Sequence, residues 1–243
     1  MQLYRLRKGQ LRKSAPPPSA GPQPEDWQAS RRVAVGHLDS RRFTELRDWV
    51  ATHAPGTTRV GVMSALWLAA LRAQDITVDD SVVVLINCRR YLRPEQQSHL
   101  GNFAVGVPLR IGSLKPAEIT ALVRQVTDSG WPLAIIAMGE LRARLHRGDR
   151  GFTTARTLSP GRLRLSVSDM GKLPFDQLPW VDGHPRQATA FLNLDGPDAM
   201  TLLLSDVGNE RTAAVTYCTA TVSQEKVEAA LALMCSDPVA LLT

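Results

Sequence analysis

Apolar and polar positions along this chain fall into blocks of two different periods, and together they predict a layered α/β protein. RRVAVGHL (31–38) alternates with period two, as a half-buried strand does. Asp39 or Ser40 caps a following helix in which Phe43, Leu46, Val50 and His53 share one face, and Pro55-Gly56 ends it. From Thr57, TTRVGVMSALWLAALRAQ is apolar around most of its circumference and carries the small residues Gly61, Ser64, Ala65, Ala69 and Ala70. This predicts a buried, closely packed helix. SVVVLINCRR (81–90) is a continuous run rich in β-branched residues, expected to be a central strand buried on both faces. A strand at 102–111 follows, then a helix at 115–127 opened by Pro116 and a helix at 133–145 with Arg142 and Arg144 on its polar side.

The second half is richer in strands. RLRLSVSDMG (162–171), ATAFLNL (188–194), MTLLLSD (200–206) and RTAAVTYCTATV (211–222) all carry strand patterns, and Gly208-Asn209 joins the last two as a hairpin turn. Ser223 caps a closing helix whose apolar face includes Val227, Ala230, Leu231 and Met234. The fold class that follows is α/β, a mixed β-sheet with helices packed on it. The amino end is different. MQLYRLRKGQLRKS spaces Leu3, Leu6 and Leu11 as a short amphipathic helix would, and the proline-rich Ala15 to Asp26 reads as an exposed linker. The expected organisation is therefore a basic helix and linker over 1–30 and one body over 31–243.

Composition narrows the function classes. With 44% hydrophobic and 21% charged residues among 243, the chain is globular. The formal net charge of +6 is concentrated at the start, where Arg5, Arg7, Lys8, Arg12 and Lys13 precede the first acidic residue. The rest is close to neutral, which argues against an extended nucleic-acid-binding face. No apolar h-region follows the basic amino end, so a cytoplasmic location is expected, and no window reaches the about 18 apolar residues of a membrane span. Without a secretory signal, the Arg-Gly-Asp in the basic loop beginning at Arg147 carries no integrin reading. Cys88, Cys218 and Cys235 lie far apart in apolar surroundings and read as buried thiols; no Cys/His spacing supports a metal site. There is no internal repeat and no glycine-rich phosphate loop.

Three blocks resemble one superfamily, the coenzyme A-dependent acyltransferases and peptide-synthetase condensation domains of the chloramphenicol acetyltransferase-like fold. The helix at Thr57 to Gln74 precedes the central strand as a helix does there. VVVLINCRRYLRPEQQSHLGNFAVGVPLR (82–110) is similar to a block in which an arginine-containing strand end and a proline precede Gly-Asn and a second strand ending in Pro108, Leu109 and Arg110. SVSDMGKLPF (166–175) falls where those proteins have a DFGWG-like block; Asp169, Gly171 and Pro174 match, while Met170 and Lys172 depart. The resemblance is to the C-terminal lobe of the two-lobed fold. It implies acyl transfer from coenzyme A or a carrier-protein thioester to an alcohol or amine, in a tunnel between lobes, with the base supplied by an HxxxD histidine of the N-terminal lobe.

None of the five histidines here lies in such a motif. Four positions on, His37 is followed by Arg41, His53 by Thr57, His99 by Phe103, His146 by Arg150 and His184 by Ala188. The order of blocks puts the motif ahead of Met1, so the expectation is a truncated, split or degenerate member that is inactive alone. It binds no resident cofactor and has acyl-coenzyme A or acyl-phosphopantetheine as the implied substrate. Its expected partners are an N-terminal lobe carrying HxxxD, an acyl-carrier protein, or a second copy of itself, with no nucleic acid. The alternative is a non-catalytic scaffold for a carrier domain or partner lobe. Ser166 and Ser168, alternate residues on a strand, are candidates to donate to an oxyanion. His99 is the only histidine within a motif block, and His146 with Asp149 is one residue short of HxxxD. Arg89, Arg90, Gly101, Asn102, Asp169 and Gly171 are expected to hold strand ends and turns, whose backbone groups need partners.

Overall fold

In a computed structural model that describes residues 27–97, 103–145, 162–181 and 183–243, with backbone alone at 140–145, six strands form one mixed sheet. They are β1 (Arg31–Leu38), β2 (Ser81–Asn87), β3 (Ala104–Arg110), β4 (Arg164–Lys172), β5 (Ala199–Val207) and β6 (Glu210–Cys218), in the order β1-β6-β5-β4-β2-β3. β4 runs parallel to β2 and β5, and the other pairs are antiparallel. The hairpin at Gly208-Asn209 is as expected: Gly208 has φ 61°, and the register sets Val207 opposite Glu210 and Asp206 opposite Arg211.

Five helices accompany the sheet: α1 (Ser40–His53), α2 (Arg59–Ala73), α3 (Pro116–Asp128), α4 (Trp131–Leu145) and α5 (Gln224–Ser236). Both expected caps are present: the side chains of Asp39 and Ser223 accept from the backbone N–H of Arg42 and Lys226. Thr58, not expected as a cap, accepts from the N–H of Gly61 at the start of α2. The core joins one face of the sheet, through Leu38, Val82, Val84, Val107, Leu109, Leu165, Val167, Leu202, Leu204 and Val215, to α2, α3 and α5. α2 sits at its centre with ten buried residues, which is why its sequence is apolar on all sides.

Two expectations need correction. β2 is paired on both edges but is not buried on both faces: Val82, Val84 and Ile86 are buried, whereas Val83 and Leu85 are only half-buried because the second face opens onto a cavity. ATAFLNL (188–194) is not a strand. It belongs to an irregular strap, residues 173–198, laid across the second face of β5 and β6, which explains why those two strands are buried on both sides. The strap is pinned by side chains. Ser205 donates to the carbonyl of Ala188, Thr221 to that of Pro197 at 2.6 Å, and the backbone N–H of Arg186 to Glu210 at 2.9 Å. Among the described residues, 188–194 makes no backbone-to-backbone hydrogen bond. The sequence pattern marks a segment able to form a strand, but in the fold it lies over the face of the sheet and is held there by side chains. The predicted basic helix, most of the linker, and the Arg147 loop lie outside the described residues.

Candidate functional site

Alternation along the strands sends two polar groups to opposite faces of the sheet. On the helix-covered face, Asp169, Asp206 and Arg211 meet at the ends of β4, β5 and β6. Arg211 is fully buried and grips Asp206 with two hydrogen bonds, Nε to Oδ1 at 2.5 Å and a terminal nitrogen to Oδ2 at 3.0 Å. It also lies 3.5 Å from Asp169, and its guanidinium sits 5.1 Å from the centroid of Phe43. Arg59, at the start of α2, adds a second cation 2.7 Å from Asp206. Asp169 also accepts from the Gly171 N–H at 2.8 Å, and Gly171 takes φ 69° at a bulge in β4, a conformation that favours glycine. These charges pair with one another, so the cluster joins the ends of β4, β5 and β6 to the start of α2.

The second face carries a cavity of about 690 Å³, within the range of small-molecule sites. Its floor is Val83 and Leu85 of β2, Gly106 and Pro108 of β3, Ser166 of β4 and Thr201 of β5; Trp131, Ile135 and Met138 of α4 form one wall and the strap residues Leu192 to Asp195 another. Small and β-branched floor residues leave the space open. Pro108 is tolerated because β3 is an edge strand with no neighbour on its outer side. One end is polar. Arg164 reaches Asp195 at 2.7 Å and Asp198 at 2.8 Å, and Asp79 lines the same end, its carboxylate accepting from the Ser81 N–H at 2.7 Å. Burial disfavours the charge on Arg164, but the hydrogen bonds it donates to Asp198 and then Asp195 outweigh it, so its pKa is raised above the ordinary value.

The expected site residues do not converge. Ser166 lines the cavity; Ser168, two residues along the same face, is buried outside its lining. Arg89 lies 4.7 Å from the Phe103 ring centroid, and Arg90 lies 3.3 Å from Asp128, clamping the turn after β2 near the end of α3. His99, Gly101, Asn102, His146 and Asp149 lie outside the described residues. Of the other histidines, His37 is 3.2 Å from Glu210, His53 stacks on Trp49, and His184 is exposed; among the described residues no histidine lines the cavity. Nor, among these residues, does any group of three or more His, Cys, Asp or Glu offer a metal site. The sequence reading missed Asp79, Trp131, Arg164 and Asp195, which are scattered over nearly half the chain and have no local motif.

The fold has counterparts among solved structures. The condensation domain of the monacolin K polyketide synthase matches with a TM-score of 0.60 at 16% identity, over 99% of this chain and 56% of that one. The trichothecene 15-O-acetyltransferase of Fusarium sporotrichioides matches with a TM-score of 0.54 at 15% identity, over 84% and 47%. The epimerization domain of the third module of tyrocidine synthetase B gives 0.53 at 14% identity, over 94% and 52%. The chain shares their fold. It spans about half the length of each of these three. In sequence, no family model and no curated protein matches it. Among the described residues, no helix is long and apolar enough to cross a membrane.

Proposed function

We propose that this chain provides one lobe, the C-terminal one, of a two-lobed acyltransferase or condensation enzyme. It shapes a substrate cavity while a second lobe bearing HxxxD supplies the base. The observation that carries this reading is the strap at 188–194. It has a strand-forming sequence, no strand partner among the described residues, and Phe191 left 65% exposed. A segment of such sequence on the surface is suited to pair with another chain. The exposed Leu133, Ile136 and Met138 on α4 add apolar surface.

In the assembled enzyme, the histidine of the second lobe would take the proton of an alcohol or amine as that group attacks the thioester carbonyl of acyl-coenzyme A or acyl-phosphopantetheine. The thiol would then leave. General-base help of this kind contributes about 10²–10⁴-fold, which is why little turnover is expected without it. The lobe's own part is to hold a substrate against the apolar floor, with the Ser166 hydroxyl available as a donor.

The test is the DNA upstream of the codon for Met1, followed by co-expression. An in-frame HHxxxDG-like segment, or a neighbouring gene encoding one, whose product forms a complex with this chain supports the proposal. Absence of both favours the scaffold reading, in which the same surface holds a carrier domain without chemistry.

A further inference from the structure

The large cavity has an uneven charge that the proposed lobe function does not explain. Its apolar part, Val83, Leu85, Pro108, Ile135, Met138 and Trp131, ends at Asp79, Arg164 and Asp195. Arg164 is the sole cation in that described lining, and it is already held by two carboxylates, Asp195 at 2.7 Å and Asp198 at 2.8 Å. Asp79 adds a carboxylate that accepts from the Ser81 N–H. Within the described lining two aspartates face one arginine, so this end carries a net negative charge; Asp198, which holds Arg164, and Arg110, opposite Ser81 in register, lie outside that lining. Their placement is fixed by the sheet: the Asp79 N–H donates to the Leu163 carbonyl at 2.8 Å, beside Arg164, and the Arg164 N–H donates to the Asp198 carbonyl at 2.8 Å. An anion is repelled by this field, and a neutral hydroxyl can donate a hydrogen bond to a carboxylate but brings no charge, whereas a cation gains both.

From this charge pattern and shape we infer that the cavity takes an apolar molecule bearing an ammonium group. The ammonium lies at the Asp79 and Asp195 end, and the apolar body lies against Trp131, Ile135 and Met138. An ammonium has no lone pair and cannot attack a thioester, so here it is the handle by which the ligand is held. Any acylated group sits elsewhere on the molecule, toward the open side. Identifying this ligand as a substrate rests on the proposed lobe function; the binding itself does not.

The experiment is isothermal titration of the purified chain at pH 7 with phenethylamine, phenethyl alcohol and phenylacetate, three probes with the same ring and different head groups. The amine is expected to saturate and to bind roughly tenfold or more tighter than the alcohol, the factor that a charge-assisted hydrogen bond supplies. Asp79→Asn and Asp195→Asn should each weaken amine binding by a larger factor than alcohol binding. Leu85→Trp, which fills the floor, should weaken all three, with circular dichroism confirming that each variant is folded. Equal binding of the three probes, a preference untouched by both Asn variants, or no saturable amine binding would overturn the inference. None of these results bears on whether a second lobe exists, which the upstream DNA and the complex decide separately.

Discussion

Replacing Arg211 by methionine tests the buried charge cluster that ties β4, β5 and β6 to the start of α2. Methionine keeps most of the apolar stem and removes the guanidinium, which is fully buried and makes two hydrogen bonds to Asp206. Asp206 has a side chain only 4% exposed, so it is left as a buried carboxylate with Arg59 as its remaining cation. Breaking a buried pair by removing one partner costs about 3–5 kcal/mol. The surviving Arg59 contact at 2.7 Å places the expected loss near the lower end, about 3 kcal/mol. Removing the second charge as well, in Arg211→Met with Asp206→Leu, should recover most of this loss, because a buried ion pair is often replaceable by apolar groups at little net cost. Urea unfolding followed by circular dichroism and by the fluorescence of the five tryptophans, of which Trp67 is fully buried, gives both numbers, with an unchanged slope as the check that the compact state is the same. A loss below about 1 kcal/mol for the single variant, or a double variant as unstable as the single, would refute the reasoning.

Three further outcomes follow from particular contacts. At Gly36 an added Cβ would lie 2.7 Å from the Cys235 sulfur and 2.8 Å from Leu231, so Gly36→Ala should push α5 off β1 and cost about 1–3 kcal/mol. Gly139→Ala, with nothing within 4 Å, should instead stabilise α4 by up to about 1 kcal/mol, and thermal melting compares the two. Burial pushes the Cys235 thiol up to about 12 and also raises Cys88, so Ellman's reagent at pH 8 should find no fast-reacting thiol in the folded chain and three after unfolding. Asp176, which holds the strap through Lys172 at 2.8 Å and the Gly208 N–H at 2.7 Å, has its pKa lowered below 3.8, first by Lys172. Its contribution is therefore complete above the unfolded value and lost as pH falls through the folded one; acid titration of stability should show this step in the native chain and not in Asp176→Asn.

Much of the fold was legible because its signals are local. The caps at Asp39 and Ser223, the all-round apolar α2 and the Gly208-Asn209 turn are each read within a few residues. The turn even carried the register: two turn residues set Asp206 opposite Arg211, so the buried ion pair was implicit in the hairpin. The strap was misread for the opposite reason. Residues 188–194 have a strand's composition, but pairing requires an available edge, and no property of seven residues reports whether one exists. The cavity was illegible in the same sense. Asp79, Arg164 and Asp195 become neighbours only when β4 inserts between β2 and β5 and the strap returns over them.

The central claim is that this chain is a lobe with a substrate cavity and no base of its own. Thiol release from acetyl-coenzyme A and longer acyl-coenzyme A thioesters, measured on the purified chain with a panel of alcohols and amines, tests it most directly. The account predicts no release above the rate without protein. Saturable, chain-dependent release would contradict it and would direct attention to His99 and His146 as the missing base.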